Sequence, residues 1–471
     1  MKGRSQGRWR VLHAVLAAVL IPSLSATRAA PARAPDDQVA SKPAAPGGAE
    51  TRPNILIILL DDMRADELLR VMPRTRTLFK DRGTRLANMF ATTPLCCPSR
   101  TSILTGEYAH NHHVQDNDNA RPFRTRQKYS VEAYLKRGGY KTAILGKILN
   151  SWQVARDPSF FHKWAISRGG YTNATYNVNG RLRTVRKYST TYLTDQTKRI
   201  LNGFERKDER PWFIEVSTYA AHRPYLADAP YEDAHVPRWA PNPAVLEEDL
   251  SDKPPWVQRN QIRIERAAGV RRQQLRTLMS VDTLVRSVYR EMAELGEENT
   301  LAFFMADNGF LWGEHGRLFK RTPYDPSVRL PALMRWPGHI PKGEVDRRLV
   351  ANIDIAPTIL DAAGIETLPE RPMDGRSLFQ TEERDRLVLE YWAERGHNLP
   401  TWFSTRTKDF QYTRYEDEFG GVLFREYYDL RSDPWQLNNL LGDGDPTNDP
   451  LTIPLDSQLE QDRVCRADTC P

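Results

Sequence analysis

A chain of 471 residues with 40% hydrophobic content can build one large domain and a smaller one, or two or three average ones, around a substantial core. The formal charge is +7 and the pI near 9.1, yet 67 Lys and Arg are interspersed with 60 Asp and Glu. That mild excess favours anionic ligands in general and makes no case for nucleic acid as a partner.

Lys2, Arg4, Arg8 and Arg10 precede the apolar run VLHAVLAAVLIP and the small-residue stretch SLSATRAAPARA. The run is short for a membrane span, and the pattern reads as a secretory signal peptide over 1–34, cut between Ala26 and Ala34. A short anchor or a disordered tail is the alternative. No other segment is apolar enough to cross a membrane, so the expectation is a secreted, extracytoplasmic protein without stable membrane insertion. Residues 35–52, rich in Pro, Ala and Gly with no apolar period, read as a disordered leader.

From Pro53 short apolar runs alternate with helical patterns, which predicts an α/β domain with a largely parallel sheet over 53–384. NILIILL (54–60) is its first buried strand. SVEAYLKRGG reads as a helix stopped by its glycines, before the strand YKTAILG (140–146). Residues 150–265, rich in Arg, Tyr, Asn and Pro, predict long loops and short hairpins over one face of the sheet. Within them PWFIEVST (211–218) is a third strand. Leu275, Leu278, Met279, Leu284, Val285, Val288, Met292 and Leu295 mark one buried face of a long helix that Gly296 ends. TLAFFMA (300–306) and LPALMRW (330–336) are further strands. DIAPTILDAAG (354–364) reads as a helix with Asp354 as N-cap and Gly364 as stop. Beyond 385, RLVLEYWA, TRTKDFQYTRY and FREYYDL predict short antiparallel strands in a smaller C-terminal α+β subdomain and tail (385–471). Export permits disulfides; Cys465 and Cys470 read either as a pair closing a small loop or as two free thiols in a tail.

The first strand ends in Asp61-Asp62 and the strand 300–306 in Asp307-Asn308. Ligands of open α/β sheets bind at the carboxyl ends of strands, so these acids share one rim if the strands are neighbours. Three carboxylates and an amide oxygen suit Ca²⁺ or Mg²⁺ and suit zinc poorly. Lys147, His222 and Lys320 follow predicted strands on the same edge, and cations beside a divalent metal imply an anionic substrate, a sulfate or phosphate group. Cys96 falls at the start of a helix from Pro98 to Leu104, a setting that activates a thiolate. Soft sulfur mismatches a hard oxygen-bound ion, so residue 96 should carry oxygen instead.

Cys96-Cys97-Pro98-Ser99-Arg100, continued by TSILTG, resembles the C-x-P-S-R signature of the sulfatase family. The motif stands in order with PNILIILLDD, GK, H and ADNG…GEHG…K, and the resemblance runs from Pro53 to Leu441. The double cysteine and GEYAHNHHV are most like the N-acetylglucosamine-6-sulfatase branch. The resemblance implies an alkaline-phosphatase-like fold: a large mixed, mostly parallel sheet flanked by helices, with a smaller C-terminal subdomain containing an antiparallel sheet. It implies oxidation of Cys96 to formylglycine (3-oxoalanine) by a formylglycine-generating enzyme as maturation partner. It places Ca²⁺, or Mg²⁺, on Asp61, Asp62, Asp307, Asn308 and the modified Cys96. Arg100 then holds the formylglycine hydrate, Lys147 and Lys320 bind sulfate, and His222 stands at the leaving oxygen. The hydrate supplies one hydroxyl to attack sulfur and a second to expel sulfate.

The substrate implied is a sulfated amino sugar, a glycan or a small sulfate ester. One departure concerns Leu149, where many arylsulfatases carry histidine. Alternatives are a broad arylsulfatase, a phosphodiesterase or phosphonate monoester hydrolase on the same scaffold, and a secreted glycan-binding protein with unmodified Cys96. His110, His112 and His113 read as pocket wall or packing, RRQQLR (271–276) as a solvated helix face, and Asn173 as a glycosylation acceptor only in a glycosylating host. Trp312, Tyr324 and Trp392 line a sugar pocket or pack in the core.

Overall fold

In the computed structural model, which describes residues 52–207, 209–259 and 261–471, the run Asn54–Leu60 forms a strand (β1) with every residue buried. Such an all-apolar strand needs a core on each face. Leu56, Ile58 and Leu60 enter one hydrophobic cluster, and Ile55, Ile57 and Leu59 the other. The signal-peptide reading and, apart from Arg52, the leader lie outside the described residues.

The other strands of the large sheet are β2 (Thr84–Phe90), β3 (Lys141–Lys147), β4 (Lys163–Ser167), β5 (Ala174–Val178), β6 (Arg181–Val185), β7 (Trp212–Ser217) and β8 (Thr300–Ala306). A two-stranded ribbon, β9 (Leu311–Trp312) and β10 (Leu318–Phe319), stands apart; β11 (Ala332–Arg335) and β12 (Glu344–Ala351) complete the sheet. Its ten strands run in the order β12-β2-β11-β8-β1-β7-β3-β4-β5-β6. The central run β8-β1-β7-β3-β4 is parallel, while β11, β5 and β6 pair antiparallel with their neighbours. The expected mixed, mostly parallel α/β sheet is therefore present.

Helices α1 (Cys96–Thr105), α2 (Val131–Arg137) and α5 (Ile355–Ala362) supply Ile103, Val131, Leu135 and Ile359 to the cluster on one face. On the other face α3 (Ser189–Glu205) and α4 (Ile264–Leu295) supply Leu193, Leu201, Leu275 and Val285. Gly296 stops α4 at φ 85° and Gly364 follows α5 at φ 61°, as their sequence positions suggest. A separate antiparallel sheet, β13 (Leu387–Tyr391), β14 (Thr401–Arg406), β15 (Phe410–Glu416) and β16 (Val422–Asp429), follows in simple chain order. Helix α6 (Thr452–Asp462) covers it, with Leu459 fully buried among Trp402, Phe403 and Tyr412.

Several expectations change. The stretch 150–265 is not loop and hairpin alone: β4, β5 and β6 extend the sheet edge, and α3 packs across it. The β5–β6 turn uses Asn179 (φ 48°) and Gly180 (φ 84°), the Asn-Gly pair that favours a tight hairpin. Asp354 does not cap α5 through its side chain. Its carboxylate takes both ends of the Arg384 fork and the Ala351 N–H instead. RRQQLR is not a solvated face: Arg271 and Gln274 are buried, Arg271 against Glu67 and the Pro237 carbonyl. Trp312 and Tyr324 are core residues, whereas Trp392 is half-buried.

Candidate active site

Parallel pairing puts Leu60 opposite Ala306, so β1 and β8 deliver Asp61-Asp62 and Asp307-Asn308 to one edge of the sheet. The two loops are laced by backbone bonds: Asp307 N–H donates to Leu60 O (3.0 Å) and Met63 N–H to Asn308 O (3.1 Å). On the other side Asp61 N–H donates to Ala220 O (2.9 Å), beyond β7. Asp62 adopts φ 61°, a left-handed conformation that costs a non-glycine residue about 1 kcal/mol. Its N–H donates to Asp307 Oδ1 (3.1 Å) and its carbonyl accepts from Gln274 Nε2 (3.0 Å), so the strained peptide is held at both ends.

Helix α1 begins at Cys96, and Gly106 ends it at φ 67°. The Cys96 thiol donates toward Asp61 Oδ1 (3.5 Å) and Asp62 Oδ1 (3.9 Å). One turn on, Arg100 Nε donates to Asp307 Oδ2 (2.8 Å) and Nη1 to the Lys147 carbonyl (2.9 Å); its buried Nη2 has no hydrogen-bond partner. Lys147 Nζ donates to Asp61 Oδ2 (2.5 Å). Lys320 Nζ donates to Asp62 Oδ1, to Cys96 Sγ (2.8 Å) and to Asn308 Oδ1 (3.2 Å). His222 stands at the edge, its Nδ1 on the Arg223 carbonyl (2.7 Å) and its Nε2 3.7 Å from Asp62 Oδ2.

Burial works to raise Asp61, but Lys147, with His222, Arg100 and Lys320, holds its carboxyl well below the usual range. Asp62 moves the same way, burial being outweighed mainly by Lys320. For Asp307 burial wins over Arg100 and the carboxyl rises. Burial also pushes the Cys96 thiol up in spite of Lys147 and Lys320, which favours the thiol over an activated thiolate.

Asp61, Asp62, Asp307 and Cys96 offer ligand atoms all within 4.8 Å of one another. The oxygens fit a hard divalent ion, and a protonated thiol does not; an oxygen-bearing residue at 96 would complete the set. The unpartnered Arg100 Nη2 is the donor such a residue, or an oxyanion, can satisfy. A second cluster, His110 with Cys465 and Cys470, offers no thiolate, because the two sulfurs are joined in a disulfide (S–S 2.04 Å). His110 pairs instead with Glu390 (2.7 Å), and His112 with the Ser102 hydroxyl (3.1 Å).

All the residues singled out for chemistry, from Asp61 to Lys320, thus come together in space. Sequence reasoning missed three buried supports. Ser99 donates its hydroxyl to the Asp307 carbonyl, Asn352 Nδ2 donates to Ser99 Oγ (2.9 Å), and Gln274 Nε2 also donates to Ala221 O (3.0 Å). Ser99 lay inside the quoted motif, but nothing in spacing pointed to Asn352 or Gln274. Leu149 is packed in the core, and the adjacent Asn150 N–H donates to Cys97 Sγ (3.1 Å), which makes Cys97 a packing and hydrogen-bonding residue.

Residues 53–365 match the Sulfatase family, and residues 313–464 match the C-terminal region of N-sulphoglucosamine sulphohydrolase. An extracellular sulfatase SULF-1 homolog of Drosophila melanogaster is 34% identical over 375 residues, 73% of this chain and 33% of its own length. The N-acetylglucosamine-6-sulfatase of Capra hircus is 30% identical over 485 residues, 89% of this chain and 85% of its own. The chain therefore spans a third of the first relative and most of the second. A protein solved in complex with its substrate D-glucosamine-2-N,6-O-disulfate superposes with a TM-score of 0.71 at 22% identity, covering 87% of this chain and 96% of that one. Through the match that runs from β1 to α5 and takes in the whole cluster, the chain belongs to the sulfatase family.

Proposed function

We propose that the protein hydrolyses sulfate esters at the Asp61–Cys96–Asp307 cluster, with a sulfated amino sugar or glycan as substrate, after export from the cytoplasm. The observation that carries this reading is Cys96 at the first residue of α1, facing three buried carboxylates and three buried cations. The family match and the names of the relatives support the reaction class and the choice of sugar.

Asp61, Asp62, Asp307 and the Asn308 amide oxygen are the residues to hold a divalent cation, Ca²⁺ or Mg²⁺, with oxygen at residue 96 in its converted state. The cation supplies positive charge for sulfuryl oxygens, and formylglycine hydrate at 96 supplies an oxygen nucleophile with a second hydroxyl for release. The chain does the rest. Arg100, fixed by Asp307 and the Lys147 carbonyl, presents Nη2 to the oxygen at 96. Lys147 and Lys320, whose ammonium groups sit on Asp61 and Asp62, would turn to the sulfuryl oxygens once a cation takes those carboxylates. His222, whose Nδ1–H is held by the Arg223 carbonyl, would hand a proton from Nε2 to the departing alcohol in its imidazolium form.

The test is sulfate release from glucosamine 6-sulfate, heparan fragments and an aryl sulfate, beside matched phosphate and phosphonate esters. Mass spectrometry of the peptide carrying residue 96 runs in parallel. Preferred turnover of sulfated sugars, with that peptide lighter by the difference between thiol and aldehyde, is expected. Turnover of the aryl or phosphonate ester alone refutes the sugar assignment, and an unmodified, inactive Cys96 refutes the reaction.

A further inference from the structure

A cavity of about 390 Å³ lies between the loop after β1, the start of β2, and the segment after β16. None of Asp61, Cys96, Lys147 or Lys320 lines it. Its carboxylates are already engaged: Asp66 by Arg64, Asp325 by Arg406, and Glu314 by Arg64 (2.6 Å), Asn242 (2.8 Å) and the Trp312 N–H (2.6 Å). One of its guanidinium groups is not, and a second is only partly paired. Among the described residues the Arg85 side chain meets no acceptor, and its neighbours Arg329 and Arg347, on top of partial burial, hold it below the ordinary arginine range. Arg329 spends Nε and Nη2 on the Ala87 carbonyl (3.0 and 2.8 Å) and stands 4.0 Å from Asp325.

The remaining wall is of a different kind. Trp435 is 41% exposed, an indole left accessible beside Pro434. Gln436, also in the wall, accepts the Asp325 N–H with Oε1 and leaves Nε2 without a partner. Arg85 without an acceptor, beside an Arg329 whose nearest acid, Asp325, stands 4.0 Å away, calls for an anion. An accessible indole beside them calls for a flat, partly apolar face, which a sugar ring presents and an inorganic ion does not.

We propose that this cavity is a second carbohydrate site, taking one sulfated sugar residue with its sulfate on Arg85 and Arg329 and its ring against Trp435. The choice of ligand rests on the sulfated-glycan reading of the catalytic cluster. A glycan chain bound here is anchored away from the bond being cut. The cavity wall is also continuous with the catalytic loop: Arg64 stacks on Trp312 (4.7 Å), and Trp312 Nε1 donates to Gln274, which holds the Asp62 carbonyl.

The experiment titrates the full chain, as Cys96→Ala to prevent turnover, with a sulfated disaccharide, its desulfated counterpart and inorganic sulfate. The same titrations follow with Arg85→Ala and Trp435→Ala added, and with the milder Arg85→Gln. One binding event, specific to the sulfated sugar, should weaken by about tenfold or more in the double variant. Hydrolysis of sulfated monosaccharide by Arg85→Gln with Cys96 intact should match the parent. Identical titrations with and without the substitutions overturn the site. Equally tight binding of inorganic sulfate or of the desulfated sugar overturns its assignment to a sulfated sugar. Failure of the catalytic reading shows separately, as no sulfate release from any ester.

Discussion

Gln274 is the buried residue on which the Asp61–Asp62 loop leans, and Gln274→Met removes its bonds without removing its volume. The side chain is inaccessible to solvent and makes three hydrogen bonds: Nε2 to Asp62 O (3.0 Å), Nε2 to Ala221 O (3.0 Å), and Oε1 from Trp312 Nε1 (2.5 Å). Methionine leaves two carbonyls and an indole N–H buried without partners, at about 1 to 3 kcal/mol each, or about 3 to 9 kcal/mol together. That is a large part of the stability of an ordinary domain. It also frees the Asp62 peptide from its left-handed conformation, and a displacement of about 1 Å at a reacting centre costs about a hundredfold in rate. Urea unfolding measures the first effect and steady-state sulfate release the second. A positioning role predicts a fall in kcat with little change in KM, and a higher cation concentration for half-maximal activity. A Met variant that unfolds within about 1 kcal/mol of the parent and turns over at the parent rate refutes the reasoning.

Burial, with Glu215 nearby, pushes the Glu132 carboxyl up to about 8. A raised carboxyl binds its proton more tightly folded than unfolded, so stability falls as pH rises between the ordinary glutamate range and 8. Glu132→Gln should leave stability unchanged near pH 4 and raise it at pH 8 and above by at most about 5 kcal/mol; a parent-like pH profile refutes this. Chelation of divalent ions should abolish sulfate release, and Ca²⁺ or Mg²⁺, but not Zn²⁺, should restore it; full activity in chelator refutes an oxygen-bound cation. The Cys465–Cys470 loop anchors the chain end, with Cys465 O accepting from Asn111 Nδ2 (2.9 Å) and the Ala467 N–H donating to Asp374 (2.8 Å). Replacing both cysteines by serine should cost about 2 kcal/mol in thermal unfolding and open the tail to proteolysis. Unchanged melting and proteolysis refute it.

The parts of the fold legible in the sequence are those where burial demands one residue type. β1 and β8 are apolar runs after their first residue, and β7 is broken only by Glu215 before Ser217, because both faces are covered; their carboxyl ends lie on the edge of the site. β12 escaped notice because Glu344, Asp346, Arg347 and Arg348 occupy an edge strand that one neighbour pairs, so charge is tolerated there. α3 escaped because Thr190, Gln196 and Thr197 take buried positions on its inner face and dilute the apolar period. The cluster itself was legible from short motifs on five different segments. Its supports were not: Gln274 and Asn352 act through backbone carbonyls and hydroxyls distant in sequence, and one chain carries no pattern for such contacts.

The charges of the cluster explain why it closes as it does. Asp61, Asp62 and Asp307 bring three negative charges into a buried space, and Arg100, Lys147 and Lys320 bring three positive ones. With water excluded, each group needs an opposite partner, and the ammonium groups find theirs on Asp61 and Asp62. Lys147 and Lys320 can turn to an anion only by giving up those carboxylates, which then require positive charge from elsewhere. A doubly charged cation and a sulfuryl oxyanion are therefore complementary additions to this site, the cation for the carboxylates and the oxyanion for the ammonium groups they release. The same balance bears on residue 96. A thiolate there adds a fourth negative charge, which burial resists by pushing the thiol up. An uncharged oxygen group keeps the balance and still offers a donor atom. On the proposed reading, the cluster is balanced for chemistry when residue 96 carries oxygen in place of sulfur.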